Sequence, residues 1–299
     1  MSRVQEFQRH TAASYPGTHG RRFDGIGGEP RAVATAVQNL LLHPVLAPAR
    51  GVTMPGEAAD DREVRSVRRM LDRLRARDDR PLSEPREHRD KFFGTCRDYA
   101  LLACSLFRHH HVPARMRVGF ADYFTAGFLE DHWLCEYWQG GAWHLLDAEI
   151  DERAQADFTI DFDPVDVPAD RFLRAGAAWR LVASGGWDPA RLGVSLIGAS
   201  GRWFAAGSVF RDIAVLAGRE ELLPWDYWGQ ASEFDRQGEV PEPWPGRIDE
   251  LAPLSAGADV DLDRLLRAYA ERDWLYLEDR VTSYPQGEPV EVELDVERK

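Results

Sequence analysis

The hydrophobic periodicity of this chain changes from helical to extended near residue 113, and that change most restricts its possible folds. The segment TCRDYALLACSLFRHHH has helical spacing, and Pro113 ends the helix. Two extended segments follow, ARMRVGFADYF and HWLCEYW, and Gly140-Gly141 predicts a two-residue turn into a third strand, AWHLLDAEI. A helix followed by antiparallel strands predicts an α+β core.

The remainder of the chain predicts helices around this core. EPRAVATAVQNLLLH and DREVRSVRRMLDRLRARD carry apolar residues three or four apart, and the arginines of the second are expected on a solvated face. Residues 1–28 predict an irregular lead-in. Beyond residue 155, ADRFLRAGAAW, SVFRDIAVLAG and DLDRLLRAYAER predict short helices, and PVEVELDV predicts a closing strand. We therefore expect a core over residues 1–155 and a mainly helical C-terminal extension over residues 156–299.

Charge and composition exclude several classes of protein. The chain has 37 Lys and Arg against 50 Asp and Glu, a net charge of −13, which argues against nucleic acid or an anionic membrane surface as a partner. No apolar run approaches the roughly 18–20 residues of a membrane span, and the first residues lack the basic-then-apolar order of a secretory signal. Three cysteines form no disulfide framework, so we expect a cytoplasmic protein.

Cys96 is the best candidate nucleophile among the three cysteines. Thr95 and Asp98 have the spacing of a capping box, which begins a helix with Cys96 as its first residue. At that position the backbone amides and the positive end of the helix dipole favour a thiolate. Cys104 and Cys135 lie among apolar residues and are expected in the core. A capped helix with cysteine at its start is also common in purely structural roles, so this feature alone leaves both interpretations open.

A cysteine nucleophile needs a base, and the base needs an orienting group. With the turn at Gly140-Gly141, the numbers of paired residues on the last two strands sum to 281. His132 and Asp147 then share a face and stand on a diagonal, roughly 7 Å apart between backbones, close enough for the carboxylate to reach the imidazole. Glu149 lies on the same face and is a competing orienting group.

At these residues the sequence resembles the transglutaminase-like superfamily, which includes transglutaminases, peptide N-glycanases and, more distantly, arylamine N-acetyltransferases. The resemblance rests on G-x-C at a helix start, V-P-A-R-x-R-V-G-F, D-H-W and W-x-x-x-D, in that order. It is strong over about residues 90–152 and weak over residues 30–90. It implies a papain-type core in which Cys96 is the nucleophile, His132 the general base and acid, and Asp147 the group that orients His132.

The resemblance implies acyl transfer on an amide or a thioester through a cysteine acyl-enzyme, without a cofactor. Hydrolysis and transfer to an amine both remain open, and the expected substrate is peptide-like or a small acyl compound. Transglutaminases use a tryptophan upstream of the cysteine to hold the oxyanion, but every tryptophan here lies at Trp133 or later, which favours other thiol acyl chemistry over protein cross-linking. Gln38 is a conceivable second oxyanion donor. The alternative function is a non-catalytic binding or scaffolding module.

Two further features of the sequence resemble metal sites, but their residue patterns do not suit metal binding. His109, His110 and His111 are consecutive, and adjacent residues on a helix point in different directions, so they do not suit one ion. The acidic stretch DFTIDFDPVDVPAD lacks the order of a calcium loop, and its prolines favour an extended connector. We therefore predict no metal site.

Overall fold

The computed structural model describes residues 3–54, 56–285 and 287–294. These residues form two compact units. The first comprises residues 3–54, 56–116 and 134–167, and the second comprises residues 117–133, 168–285 and 287–294.

Helices and strands are mixed along the chain, which confirms the predicted α+β class. The α-helices are α1 Pro30–Leu40, α2 Val67–Arg77, α3 Cys96–His109, α4 Glu152–Asp157, α5 Ala175–Ala183, α6 Arg202–Leu216, α7 Gly229–Gln237, α8 Trp244–Leu251 and α9 Leu262–Ala270. The strands are β1 Ala114–Ala121, β2 Leu129–Gln139, β3 Ala142–Leu146, β4 Phe172–Arg174, β5 Leu192–Val194, β6 Ala199–Ser200, β7 Asp226–Tyr227, β8 Arg280–Ser283 and β9 Val290–Glu293.

The first unit contains the helix that begins at Cys96. Helix α3 packs against α1 and α2, and the buried side of α1 carries Val33, Val37 and Leu40, as the helical spacing predicted. On its other side α3 lies along β2, where the rings of Phe107 and Tyr137 stack with centroids 4.8 Å apart. Almost every residue of α3 is buried, so its position is set by packing on several sides.

Strands β2 and β3 form the predicted antiparallel hairpin. The paired residues run from Gln139↔Ala142 to Cys135↔Leu146, which confirms the register that sums to 281. Both turn glycines have positive φ, 62° and 88°, a conformation that glycine adopts without strain. Strand β3 is shorter than predicted, because the N–H of Asp147 donates to the carbonyl of Pro164 at 2.8 Å and the backbone leaves the strand. Asp147 is therefore the first residue after β3.

The second unit contains short strands and the helices α5 to α9. Strand β4 pairs antiparallel with the end of β1, β5 pairs parallel with the start of β2, and β6 pairs with β5. Strands β7, β8 and β9 form a separate three-stranded sheet. Glycine is required at Gly119 on β1, because a Cβ there would lie 2.3 Å from the carbonyl oxygen of Leu173 on β4.

Some predicted elements differ from the observed ones. The helix expected from Asp61 begins at Val67, where Ser66 is the N-cap and its hydroxyl accepts from the N–H of Arg69. The prediction of a helix over ADRFLRAGAAW is wrong for its first half, because Phe172–Arg174 forms strand β4 and pairs with β1. The extension therefore contains strands besides helices. The closing strand forms over Val290–Glu293, and the last two residues of that prediction, 295 and 296, lie outside the described residues. The boundary near residue 155 stays a prediction.

Strand β1 carries two arginines whose charges are compensated inside the protein. In the first unit, Arg115 pairs with the buried carboxylate of Glu136 at 2.7 Å. In the second unit, Arg117 donates two hydrogen bonds to Asp212, at 3.1 and 2.9 Å, and Asp212 also accepts from the N–H of Val118. A buried charge without such a partner is strongly destabilising, so each pair fixes its neighbours in one arrangement.

The helices of the described residues were compared with the length and hydropathy that a membrane span needs. Among the residues that the structure describes, every helix is too short or too polar to cross a bilayer.

Candidate active site

Cys96 occupies the position that the capping box predicted. It is the first residue of α3, and the Thr95 N–H donates to the Asp98 carboxylate at 2.8 Å while the Thr95 side chain accepts from the backbone of Asp98. Cys96 is buried, with 8% of its surface exposed. A helix N-terminus, with the positive end of its dipole, favours negative charge on a side chain in this position.

The charges next to Cys96 neutralise each other. Arg97 donates to the Asp98 carboxylate at 2.9 Å, and both side chains are almost completely buried. Burial raises the pKa of Asp98, whereas the charge of Arg97 and the hydrogen bonds from Thr95 act in the opposite direction. Because Asp98 is paired with Arg97, its negative charge disfavours a thiolate at Cys96 less than an unpaired carboxylate would.

The segment that leads into Cys96 is held by buried Asp61. The Asp61 carboxylate accepts from the N–H of Phe93 at 2.9 Å and forms two hydrogen bonds with Arg77, at 2.7 and 2.9 Å. The Phe92 N–H also donates to the carbonyl of Leu40 at the end of α1. The prediction that the arginines of α2 lie on a solvated face is therefore wrong for Arg77. Sequence reasoning missed this network, because nothing in the pattern pairs Asp61 with a residue 16 positions away.

Asp147 is a buried carboxylate with a defined orientation. It is 2% exposed, and its Oδ1 accepts from the N–H of Glu149 at 3.1 Å. Its own N–H is fixed by the carbonyl of Pro164. These backbone contacts hold the carboxylate in one position, which is what an orienting group requires.

Glu149, the competing carboxylate, lies near a different group of α3. Burial raises the pKa of Tyr99 well above its ordinary value, and the nearby charges of Glu149 and Asp151 raise it further. Tyr99 lies one turn along α3 from Cys96. Gln38, the conceivable oxyanion donor, gives its side-chain N–H to the carbonyl of Ile150 at 3.0 Å. Its amide is thus engaged with the segment that follows β3.

His132 lies on β2, in the second unit, and is almost completely buried. Its ring makes edge-on contacts with two aromatic residues that follow β1, with centroid distances of 6.1 Å to Tyr123 and 4.9 Å to Phe124. These rings surround the imidazole with apolar surface. Cys96 and Asp147 belong to the first unit, so the joint action of the three residues stays a prediction.

Asp131, next to His132, is a partly buried acidic group that sequence reasoning missed. Its Oδ1 has no hydrogen-bond partner in the part of the chain that the structure describes, and the same is true of Nη2 of buried Arg211 on α6. Burial raises the pKa of Asp131 to about 6, although the charges of Arg211 and His132 lower it. Arg211 lies over the ring of Tyr227, 4.4 Å from its centroid, and donates to the backbone carbonyl of Asp226.

We expect Asp131→Asn to stabilise the protein above pH 6. The folded-state pKa of about 6 lies above the unfolded value of 3.8, so ionised Asp131 destabilises the fold. This destabilisation is absent below pH 4, grows as the pH rises and reaches about 3 kcal/mol above pH 7, at 1.36 kcal/mol per pKa unit. Urea unfolding of both proteins should show a gain of about 3 kcal/mol at pH 8 and about 1 kcal/mol at pH 4.5. A gain that does not depend on pH would contradict this assignment.

The histidine run at the end of α3 and the two other cysteines make contacts of their own. His109 Nε2 lies 2.9 Å from a carboxylate oxygen of Asp24, whereas the ring of His110 lies beside Gly28. Cys104 and Cys135 are completely buried, which confirms that they lie in the core. Their sulfur atoms are 3.3 Å apart.

A comparison with protein families matches the segment that carries the predicted site residues. Residues 49–148 match the core of the transglutaminase-like superfamily. This segment is similar to the transglutaminase-like core. It includes Cys96, His132 and Asp147, and it begins before the predicted strong resemblance at residue 90, so that the Asp61 network also falls inside it. The predicted family resemblance is confirmed for this segment.

Comparisons with whole proteins support no further assignment. No curated protein matches the chain significantly in sequence. Among solved structures, a crystal structure of a protein from Cytophaga hutchinsonii, provisionally named a cysteine protease, shares 15% identity with a TM-score of 0.34. The match covers 58% of this chain and 46% of that protein. This chain spans about half the length of that structure.

Proposed function

We propose that the chain transfers an acyl group through a thioester on Cys96. The observation that carries the proposal is the placement of Cys96 as the first residue of a capped, buried helix within the transglutaminase-like core. A cysteine at a helix N-terminus is stabilised as a thiolate, which is the reactive form. The neutralised Arg97–Asp98 pair leaves that effect largely intact.

The proposed roles follow the order of the family. His132 takes the proton from the Cys96 thiol, and the thiolate attacks the carbonyl carbon of an amide or thioester. The tetrahedral oxyanion accepts a hydrogen bond from the Cys96 backbone N–H. As the intermediate collapses, His132 protonates the leaving amine or thiol. Asp147 orients His132 and stabilises its protonated form.

The second half of the reaction determines the type of enzyme. When water, activated by His132, attacks the acyl-enzyme, the product is a carboxylic acid and the reaction is hydrolysis. When an amine attacks, the product is a new amide. We propose a peptide-like or small-molecule acyl donor for both cases, and the charge of −13 favours cationic amines among acceptors by long-range attraction.

Trapping of the acyl-enzyme tests this function. The protein is mixed with a panel of thioesters and activated amides, quenched in acid and weighed by intact mass spectrometry. We expect a mass increase equal to the acyl group on Cys96, mapped by peptide analysis, and no adduct in Cys96→Ala. Cys104→Ser is the matched control, because it removes a thiol that lies inside the core and should keep the adduct.

The alternative function, a binding or scaffolding module without catalysis, predicts a different result. Its cysteines should show no acyl adduct with any donor. Iodoacetamide should then alkylate Cys96 only near the ordinary thiol pKa of about 8.5. A catalytic Cys96 should instead react well below that pH, and the enhancement should disappear in His132→Ala.

A further inference from the structure

The core of the first unit holds two thiols in contact, in addition to Cys96. The sulfur of Cys104, in the middle of α3, lies 3.3 Å from the sulfur of Cys135 on β2. Both side chains are completely buried. Neither takes part in the proposed acyl transfer, and the two residues are 31 positions apart in the chain.

We propose that Cys104 and Cys135 form a disulfide when the protein is oxidised, which makes this pair a covalent modification site. A disulfide needs sulfur atoms about 2.05 Å apart, so the two atoms must approach by about 1.3 Å. The bond would join α3, which begins with Cys96, to β2, the strand that also carries His132.

The packing around the pair favours this approach. The rings of Phe107 on α3 and Tyr137 on β2 stack with their centroids 4.8 Å apart. Phe107 lies about one helical turn beyond Cys104, and Tyr137 lies two residues beyond Cys135. This contact holds the helix and the strand side by side at the thiols, so bond formation needs only a small local adjustment. In an unfolded chain the same two residues must first meet across a 31-residue separation, which costs conformational entropy.

The chemistry balances with a peroxide as the oxidant. The thiolate of one cysteine attacks hydrogen peroxide and becomes a sulfenic acid, with release of hydroxide that takes up the thiol proton to form water. The second thiol then displaces water from the sulfenic acid and forms the S–S bond. In total, two thiols lose two electrons and two protons, and one peroxide becomes two water molecules.

Burial makes the reaction slow but does not prevent it. Burial, together with the hydrogen bond from Cys104, raises the pKa of Cys135 well above its ordinary value, so Cys135 is rarely a thiolate in the folded protein. Oxidation therefore proceeds through local opening of the helix–strand contact. Once the disulfide has formed, the helix and the strand pack together again, and the buried bond resists reduction.

A glutathione redox titration in the Cys96→Ala background tests the proposal without any need for acyl transfer. Only Cys104 and Cys135 remain in this variant, so intact mass after acid quenching counts a loss of two hydrogens per disulfide. We expect the equilibrium constant for oxidation to be at least about tenfold larger in native buffer than in 8 M urea, because the fold holds the thiols together.

Two controls make the titration decisive. The variant Cys96→Ala/Cys104→Ser should give only a mixed disulfide with glutathione and no internal bond. Hydrogen peroxide should convert native Cys96→Ala to the same two-hydrogen product, and peptide mapping should join Cys104 to Cys135. Equal equilibrium constants in buffer and urea, or no cross-link with either oxidant in buffer, would overturn the proposal. Failure to trap an acyl-enzyme would leave this result unaffected.

Discussion

Replacing His132 by alanine should slow acylation of Cys96 by roughly 10⁴-fold or more, because the base and the nucleophile act as one unit, and Cys96→Ala should form no acyl-enzyme. Asp147→Asn should cost about 10² to 10⁴-fold, since in the proposed triad this charge stabilises protonated His132 and the substitution leaves the other two groups in place. The rate is that of acyl-enzyme formation with the best donor of the panel, followed by rapid quenching and mass spectrometry.

A matched control separates Asp147 from its neighbour. Glu149→Gln changes a carboxylate only two residues away whose charge lies near Tyr99, and since Glu149 is outside the proposed triad the rate should stay within about threefold of the wild type. The double variant His132→Ala/Asp147→Asn should be no slower than His132→Ala alone, because an orienting group has no effect once its partner is gone. Equal losses in Asp147→Asn and Glu149→Gln would assign the orienting role to neither residue.

Asp61→Ala should lower the free energy of unfolding by about 3 to 5 kcal/mol. The substitution leaves the charge of Arg77 without its partner in a nearly buried position and removes the acceptor of the Phe93 N–H. Urea unfolding at pH 7 measures the loss. Asp79→Ala is the matched control, because Asp79 forms exposed ion pairs with Arg22 and Arg75 and its removal should lower the free energy of unfolding far less.

The same substitution should also impair Cys96. The segment Phe92–Thr95 enters α3 from the contacts with Asp61 and α1, so its release lets the first turn of the helix move. We expect the alkylation of Cys96 by iodoacetamide at pH 6.5 to fall towards the rate of an ordinary thiol, with the protein still folded by circular dichroism. An Asp61→Ala protein that keeps both its stability and its Cys96 reactivity would refute the positioning role of this network.

Local sequence signals predicted the parts of the site that depend on neighbours in the chain. Thr95 and Asp98 predicted the helix start at Cys96 because a capping box involves only residues three apart. The two glycines of the turn predicted the register of β2 and β3, because a two-residue turn fixes which residues face each other. The order of the motif residues predicted the family over the matched segment.

The sequence by itself thus determined the α+β class, the helix that presents Cys96 and the hairpin that precedes Asp147. Only the tertiary structure decided that Asp61 holds the entry to α3, that Phe172–Arg174 becomes a strand against β1, and that Cys104 meets Cys135. These contacts join residues far apart in the chain. Their formation depends on burial and on compensation of charge in the folded core, which hydrophobic periodicity and short motifs do not encode.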